Sequence, residues 1–153
     1  GSYAGAMGMG QFIPSSFRAY AVDFDGDGHA DIWNSRADAI GSVANYFKRH
    51  GWEYGAPVVM AARVIGPVAK ERMNPGLEPD VTVSELAALG IAANGTIDAA
   101  ERVLPLMLDT DAGTEYWLGL HNFHVITRYN RSALYAMAVH QLSQAIRTGY
   151  ERP

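Results

Sequence analysis

Asp23, Asp25 and Asp27 stand two residues apart in the stretch Asp23-Phe24-Asp25-Gly26-Asp27-Gly28-His29-Ala30-Asp31-Ile32-Trp33-Asn34. Carboxylates crowded at that spacing repel one another unless a cation sits among them. They occupy positions one, three and five of an EF-hand loop. Gly28 takes position six, where the chain must turn sharply, and His29 at position seven offers its backbone carbonyl. A hard oxygen set of this kind favours Ca²⁺ over zinc. Position twelve is Asn34 and not a bidentate glutamate, so the expected site is structural and not a sensor. Asp31 at position nine is a candidate further ligand, directly or through water. The bland alternative is a solvated Asp-Gly turn.

A second stretch carries a different chemistry. In Ser2-Tyr3-Ala4-Gly5-Ala6-Met7-Gly8-Met9-Gly10-Gln11-Phe12-Ile13-Pro14-Ser15-Ser16, small residues surround one amide, Gln11, beside an aromatic, Phe12. Glycine density lets a backbone approach a ligand or another chain segment closely. An amide that donates and accepts, next to a flat apolar ring, suits a sugar. The alternative is a loop built for tight packing.

The order of these residues closely resembles a motif of the membrane-bound lytic murein transglycosylase B family. Three further blocks resemble it in the same order: Tyr20 to His29, Asp38 to Lys48 with Gly51-Trp52, and Thr127-Arg128-Tyr129-Asn130 with Tyr135 to Val139. The middle, roughly Val64 to Glu101, is more loosely similar. The resemblance implies non-hydrolytic cleavage of peptidoglycan glycan strands, leaving a 1,6-anhydro end. One glutamate would serve first as acid and then as base, unlike the usual carboxylate pair of glycoside hydrolysis. It also implies that Ser2, Gln11, Tyr46, Tyr129, Asn130 and Tyr135 line a glycan groove. Taken singly, Tyr46 and Tyr135 could be core, and Asn130 the N-cap of the last helix. For the cation, the resemblance offers Asp38 as a further ligand beside Asp23, Asp25, Asp27 and His29. No organic cofactor is implied. The family's catalytic glutamate precedes the Ser-Tyr-Ala-Gly motif, which opens this chain. None of Glu53, Glu71, Glu78, Glu85, Glu101, Glu115 and Glu151 sits in a matching context. The acid is therefore expected upstream of Gly1, from a missing N-terminal segment or fragment. The rival reading is a non-catalytic peptidoglycan-binding or Ca²⁺-stabilised structural module. A periplasmic location follows from the resemblance, with outer-membrane anchoring of the full-length protein left open.

The elements that must hold these residues are legible in part. Pro14-Ser15-Ser16 marks a helix start with a serine cap, giving a short helix over Phe17 to Tyr20. Asp38 is expected to cap a second helix whose buried stripe is Ile40, Val43, Ala44 and Phe47, with Gly51 as its stop. Val58 to Met60, Val64-Ile65, Arg102 to Leu108, Glu115 to Leu120 and Phe123 to Thr127 read as strands, with Asp111-Ala112-Gly113 as a hairpin turn. Thr82-Val83-Ser84-Glu85 is a capping-box signature for a short helix ending at Gly90. A last helix is expected from about Arg131 to Arg147, stopping at Gly149, with Leu134, Met137, Ala138, Leu142 and Ile146 buried. The fold class is α+β and mainly helical. The resemblance implies a lysozyme-like core over residues 1–55 carrying the EF-hand-like loop. A mixed β module is inserted over 56–128, and a C-terminal helix over 129–153 returns to the core. A core short of a helix exposes apolar surface, so marginal stability or a partner chain is expected.

Composition sets the outer bounds. The 153 residues are 48% hydrophobic and 18% charged, as in a globular domain. A formal charge of −4 argues against nucleic acid, whose binders are usually basic. There is no cysteine, so thiol chemistry and disulfides play no part. No apolar run is long enough to span a membrane.

Overall fold

The computed structural model describes residues 2–65 and 72–151. It divides into two compact units, Gly1–Trp52 and Glu53–Pro153.

The first unit holds α1 (Pro14–Tyr20), the acidic loop and α2 (Arg36–Arg49). Pro14 is the first residue of α1 and Ile13 precedes it as N-cap, so no serine caps this helix. A proline there loses no hydrogen bond, because the first N–H groups of a helix have no intrahelical partner. Ser35, not Asp38, caps α2: its hydroxyl accepts the Asp38 N–H at 3.2 Å. The helix ends as the sequence predicts. Gly51 adopts φ +92°, its N–H donates to the Lys48 carbonyl, and the Trp52 N–H donates to that of Phe47. This is a Schellman closure, and the Trp52 ring stacks on Phe47 at 5.6 Å to complete it.

The buried face of α2 differs from the expected stripe. Asp38, Ala39, Gly41, Ser42 and Tyr46 are buried, whereas Ile40 is 70% exposed and Ala44 is exposed. The reason is that the polar members of the buried face hold the preceding loop. The Ser42 hydroxyl, for example, accepts the Val22 N–H at 3.0 Å. The apolar stripe instead lines an open groove of about 500 Å³ together with Met9, Gly10 and Arg36.

The second unit is a five-stranded antiparallel sheet with three helices. Its strands are β1 (Val59–Val64), β2 (Val81–Thr82), β3 (Ile91–Ala93), β4 (Arg102–Thr110) and β5 (Gly113–Gly119), in the order β2-β4-β5-β1-β3. The two short runs around residue 60 merge into β1. The β4–β5 hairpin turns over Asp111-Ala112, with Thr110 paired to Gly113 at φ +123°. Val103, Leu104, Pro105 and Leu106 are all buried, so β4 is covered on both faces and reads as a continuous apolar run. Leu86, Ile91, Val103, Leu118 and Leu120 form a cluster on one side. Pro105 removes one donor from β4, and Asn74 covers the strand next to it. The Asn74 N–H donates to the Pro105 carbonyl at 2.9 Å. Its side-chain oxygen accepts the Met107 N–H at 3.0 Å and its amide donates to the Met107 carbonyl at 3.1 Å.

Helix α3 (Val83–Ala88) carries the expected capping box, with the Thr82 hydroxyl on the Glu85 N–H and the Glu85 carboxylate on the Thr82 N–H. That N–H, with the Thr82 hydroxyl, holds the Glu85 carboxyl below its ordinary pKa. Thr82→Ala should cost about 1 kcal/mol in a denaturant melt. A change under about 0.3 kcal/mol would mean that the box is ornamental.

Phe123 to Thr127, expected as a strand, lies in α4 (His121–Tyr129). Burial overrides the β-branched propensity here. Asn122, Phe123, Val125, Ile126 and Thr127 are all buried. Asn122 also locks the start of the helix. Its side-chain oxygen accepts the Glu53 N–H at 2.9 Å, and its amide donates to the carbonyls of Glu53 and Ala56. Helix α5 (Ala133–Tyr150) runs through Gly149 and does not stop there. Of its expected stripe only Met137 is buried, beside Ala136. Ala138 is exposed, as are Leu134, Leu142 and Ile146 at 71, 61 and 63%. Only the first turns of α5 reach the core of this unit, so its later turns bury nothing within it. No helix among the described residues is long and apolar enough to cross a membrane.

Candidate functional site

In the first unit the glycine-rich stretch folds into a tight turn. Met7 and Phe12 exchange backbone hydrogen bonds at 2.8 and 3.0 Å, and Phe12 is buried. Gly8 holds φ +65°, and a Cβ there would lie 2.6 Å from the Ile32 carbonyl oxygen. The neighbouring Met9 N–H donates to that same carbonyl at 2.9 Å. The close approach that glycine permits at Gly8 is thus made to the end of the acidic loop. Gln11 is exposed at the tip, at φ +52°, with its amide nitrogen donating to the Gly8 carbonyl at 2.8 Å. Ser2 is exposed, and its hydroxyl accepts the Ala6 N–H at 2.8 Å. Tyr46 is only 9% exposed. Its ring stacks on His50 at 3.9 Å and meets Tyr20 edge-on at 4.9 Å, with Phe12 at 6.0 Å.

The acidic loop wraps its carboxylates around a common point. Asp23, Asp25, Asp27 and Asp38 each present a carboxylate oxygen, all within 4.8 Å of one another. The loop backbone fixes them. Asp23 accepts the N–H groups of Gly26, Asp27 and Gly28, and Asp27 accepts that of His29. Ser35 donates its hydroxyl to Asp25 at 2.8 Å. Asp38 is fully buried and ties both ends of the loop to α2. One oxygen accepts the Phe24 N–H at 2.7 Å and the Asp25 N–H at 3.3 Å, and the other accepts the Asp31 N–H at 2.8 Å. The Phe24 N–H holds the Asp38 carboxyl below its ordinary pKa, against the desolvation that would raise it. Gly41 on α2 leaves room for the Phe24 ring, since a Cβ there would lie 2.6 Å from it.

Asp31 does not join this cluster. Its carboxylate accepts the backbone N–H groups of Trp33 and Asn34 and the Asn34 amide, and these bonds lower its pKa, the side-chain bond most. Asn34, at position twelve, is thereby turned onto Asp31. The His29 carbonyl accepts the Asp31 N–H at 3.2 Å. Four clustered oxygens from carboxylates, with no nitrogen or sulfur, fit a hard cation such as Ca²⁺. Ser35 escaped the sequence reading, although Ser35 followed three residues later by Asp38 is close to a capping-box signature.

In the second unit Tyr129 and Asn130 end α4. Asn130 is its exposed C-cap, its N–H donating to the Ile126 carbonyl at 3.4 Å. It does not cap α5; Ser132 does, accepting the Tyr135 N–H at 3.2 Å. Tyr129 and Tyr135 are half-buried. Among the described glutamates, Glu85 serves the capping box and Glu115 accepts the Trp117 indole N–H at 3.0 Å.

The fold is that of the lysozyme-like lytic transglycosylases. Residues 1–144 match the family described as "Transglycosylase SLT domain", and the chain belongs to it. It is 49% identical over 146 residues to the membrane-bound lytic murein transglycosylase B of Escherichia coli K12, a match covering 95% of this chain and 39% of that protein. Among solved structures, the catenated lytic transglycosylase SltB1 of Pseudomonas aeruginosa is 54% identical with a TM-score of 0.92, covering 97% of this chain and 49% of that one. The E. coli lytic transglycosylase Slt35, solved in complex with calcium, is 46% identical with a TM-score of 0.85, covering 99% and 47%. SltB3 of P. aeruginosa, solved with NAG-anhNAM-pentapeptide, is 40% identical with a TM-score of 0.74, covering 91% and 38%. The chain thus spans at most about half the length of these relatives.

Proposed function

We propose that this chain is the glycan-binding part of a peptidoglycan lytic transglycosylase. The enzyme cleaves the MurNAc-GlcNAc β-1,4 bond without water and leaves a 1,6-anhydromuramic end. The observation that carries the reading is family membership over residues 1–144, with all four motif blocks present. Ser2, Gln11, Tyr46, Tyr129, Asn130 and Tyr135 bind the glycan. Exposed hydroxyl and amide groups at Ser2, Gln11 and Asn130 serve sugar edges, the half-buried Tyr129 and Tyr135 serve sugar faces, and the buried Tyr46 backs the groove wall with its ring packed on His50 and Tyr20. Asp23, Asp25, Asp27 and Asp38, with the His29 carbonyl, hold a structural Ca²⁺. The acid/base glutamate comes from residues outside this chain. It protonates the leaving oxygen, then takes the proton of the sugar's own hydroxyl as that oxygen closes the anhydro ring. The apolar stripe of exposed Ile40 and Ala44 with half-buried Val43 supports the same division, because an apolar helix face of this kind normally meets a partner. The substrate is peptide-bearing glycan of the cell envelope, a reading supported by the ligand of SltB3 and by the name of the E. coli relative.

The test is incubation with purified sacculi, with product identified by mass spectrometry. The chain alone should release no anhydromuropeptides. With the preceding part of the protein restored it should release them, and Gln11→Ala should lower that rate. Product from the chain alone would refute the assignment of the acid. Persistent inactivity of the restored protein would leave the rival reading, a binding or structural module, in possession.

A further inference from the structure

The second unit contains a cleft of about 170 Å³ that none of the proposed glycan contacts lines. Leu77, Glu78, His124, Thr127, Arg128 and Arg131 surround it. His124 is fixed in place, its Nδ1 lying 3.0 Å from the Leu77 carbonyl and 3.5 Å from the Glu78 carboxylate. A carbonyl only accepts, so Nδ1 carries the proton. The Thr127 hydroxyl donates to the His124 carbonyl at 2.7 Å and braces the same turn. The lining therefore includes two guanidinium groups, those of Arg128 and Arg131, beside the Glu78 carboxylate.

We propose that this cleft binds a carboxylate of the peptide carried by the glycan. The inference rests on the reading of the substrate above. Guanidinium groups meet a carboxylate with two parallel N–H donors, a geometry a lysine cannot supply. The cleft is smaller than the roughly 300 Å³ at which drug-sized pockets begin, so it takes an end group and not a sugar ring. Its position in the chain suits a branch from a bound sugar. Arg128 and Arg131 bracket Tyr129 and Asn130. With consecutive Cα atoms about 3.8 Å apart, neither arginine lies more than about 8 Å from Tyr129 by Cα. An extended pentapeptide spans about 17 Å, enough to reach.

The experiment is an NMR titration of the chain with three probes: the free pentapeptide, an oligosaccharide of N-acetylglucosamine without peptide, and inorganic phosphate. The pentapeptide should move the His124 and Thr127 signals saturably, and less at high salt. Arg128→Ala with Arg131→Ala should weaken that binding by about tenfold or more. Unchanged signals from the buried Phe123 and Met137 would show that the variant is folded. A pentapeptide that leaves His124 and Thr127 unmoved, or binds the double variant equally well, would overturn the proposal. So would phosphate binding as tightly as the peptide, which would make the cleft a general anion site. The oligosaccharide reports separately on Gln11 and Tyr129, so a failure of the glycan reading is visible whatever the peptide does.

Discussion

Asp38→Ala is expected to lower the melting temperature by on the order of 10 °C and to abolish any stabilisation by Ca²⁺. The side chain is fully buried and accepts three backbone N–H groups, from Phe24, Asp25 and Asp31. Removing it strands the Phe24 and Asp25 donors and leaves the Asp31 N–H only its longer bond to the His29 carbonyl, and a buried unsatisfied donor costs more than a made bond contributes. The same truncation takes one of four oxygens from the carboxylate cluster. Wild-type protein should melt higher with Ca²⁺ than with EDTA, since a ligand that binds only the folded chain stabilises it by mass action. Asp38→Asn separates the two effects. It keeps one acceptor and loses the charge, so the calcium response should vanish while part of the stability remains. The sign of the pH effect follows from the lowered pKa of Asp38, whose first cause is the Phe24 N–H. A depressed carboxylate contributes stability that is fully present above the unfolded value, near 3.9, and lost as pH falls through the folded one. Acid melts of wild type should steepen below about pH 4, and those of Asp38→Asn should steepen less, since the depressed carboxyls of Asp31 and Glu85 remain. Equal melting temperatures with Ca²⁺ and EDTA would sink the metal assignment while leaving the loop-anchor role intact.

Gly8→Ala should be the other severe change, at a residue with no side chain to lose. A left-handed φ costs an alanine about 1–2 kcal/mol. Overpacking against the Ile32 carbonyl and side chain adds about 1–3 kcal/mol, because the nearest obstacle is backbone. Together these give about 2–5 kcal/mol, a large part of the stability of a small unit. Denaturant melts followed by tryptophan fluorescence would measure it, Trp33 lying beside Ile32 and packing on Phe17 at 5.4 Å. Gly26→Ala is the matched control. It has a similar positive φ of +80° but open space around it, so it should show the conformational cost alone. Equal losses at the two positions would mean that the contact with Ile32 contributes nothing.

These two positions also show what the sequence makes legible. The clustering of Asp23, Asp25 and Asp27 is readable because such a loop is local, its carboxylates placed by spacing. Thr82 and Glu85 are readable for the same reason, a capping box being closed within four residues. Gly51 ends its helix as a positive-φ glycine should. What failed depended on partners distant in sequence. Phe123 to Thr127 has the composition of a strand, and only its packing and the Asn122 bonds to Glu53 and Ala56 make it helical. On α2 the 3.6-residue period locates an apolar stripe but not what it faces. Within this unit the helix buries Ala39, Ser42 and Tyr46 instead. Of the residues proposed to bind glycan, Ser2, Gln11 and Tyr46 fall on the first unit and Tyr129, Asn130 and Tyr135 on the second. No local pattern links the two sets; the family resemblance did.

The Asn74 arrangement on β4 bears on how this protein behaves in company. Beyond Val103, β4 has no further strand partner on its β2 side among the described residues. A long apolar strand with one open edge invites a second chain to add itself there, the first step toward fibrils. Pro105 withholds one donor, and the Asn74 amide occupies both the N–H and the carbonyl of Met107. Two residues thereby blunt the edge without lengthening the sheet. At high local concentrations, the hairpin is guarded against pairing with its own copies.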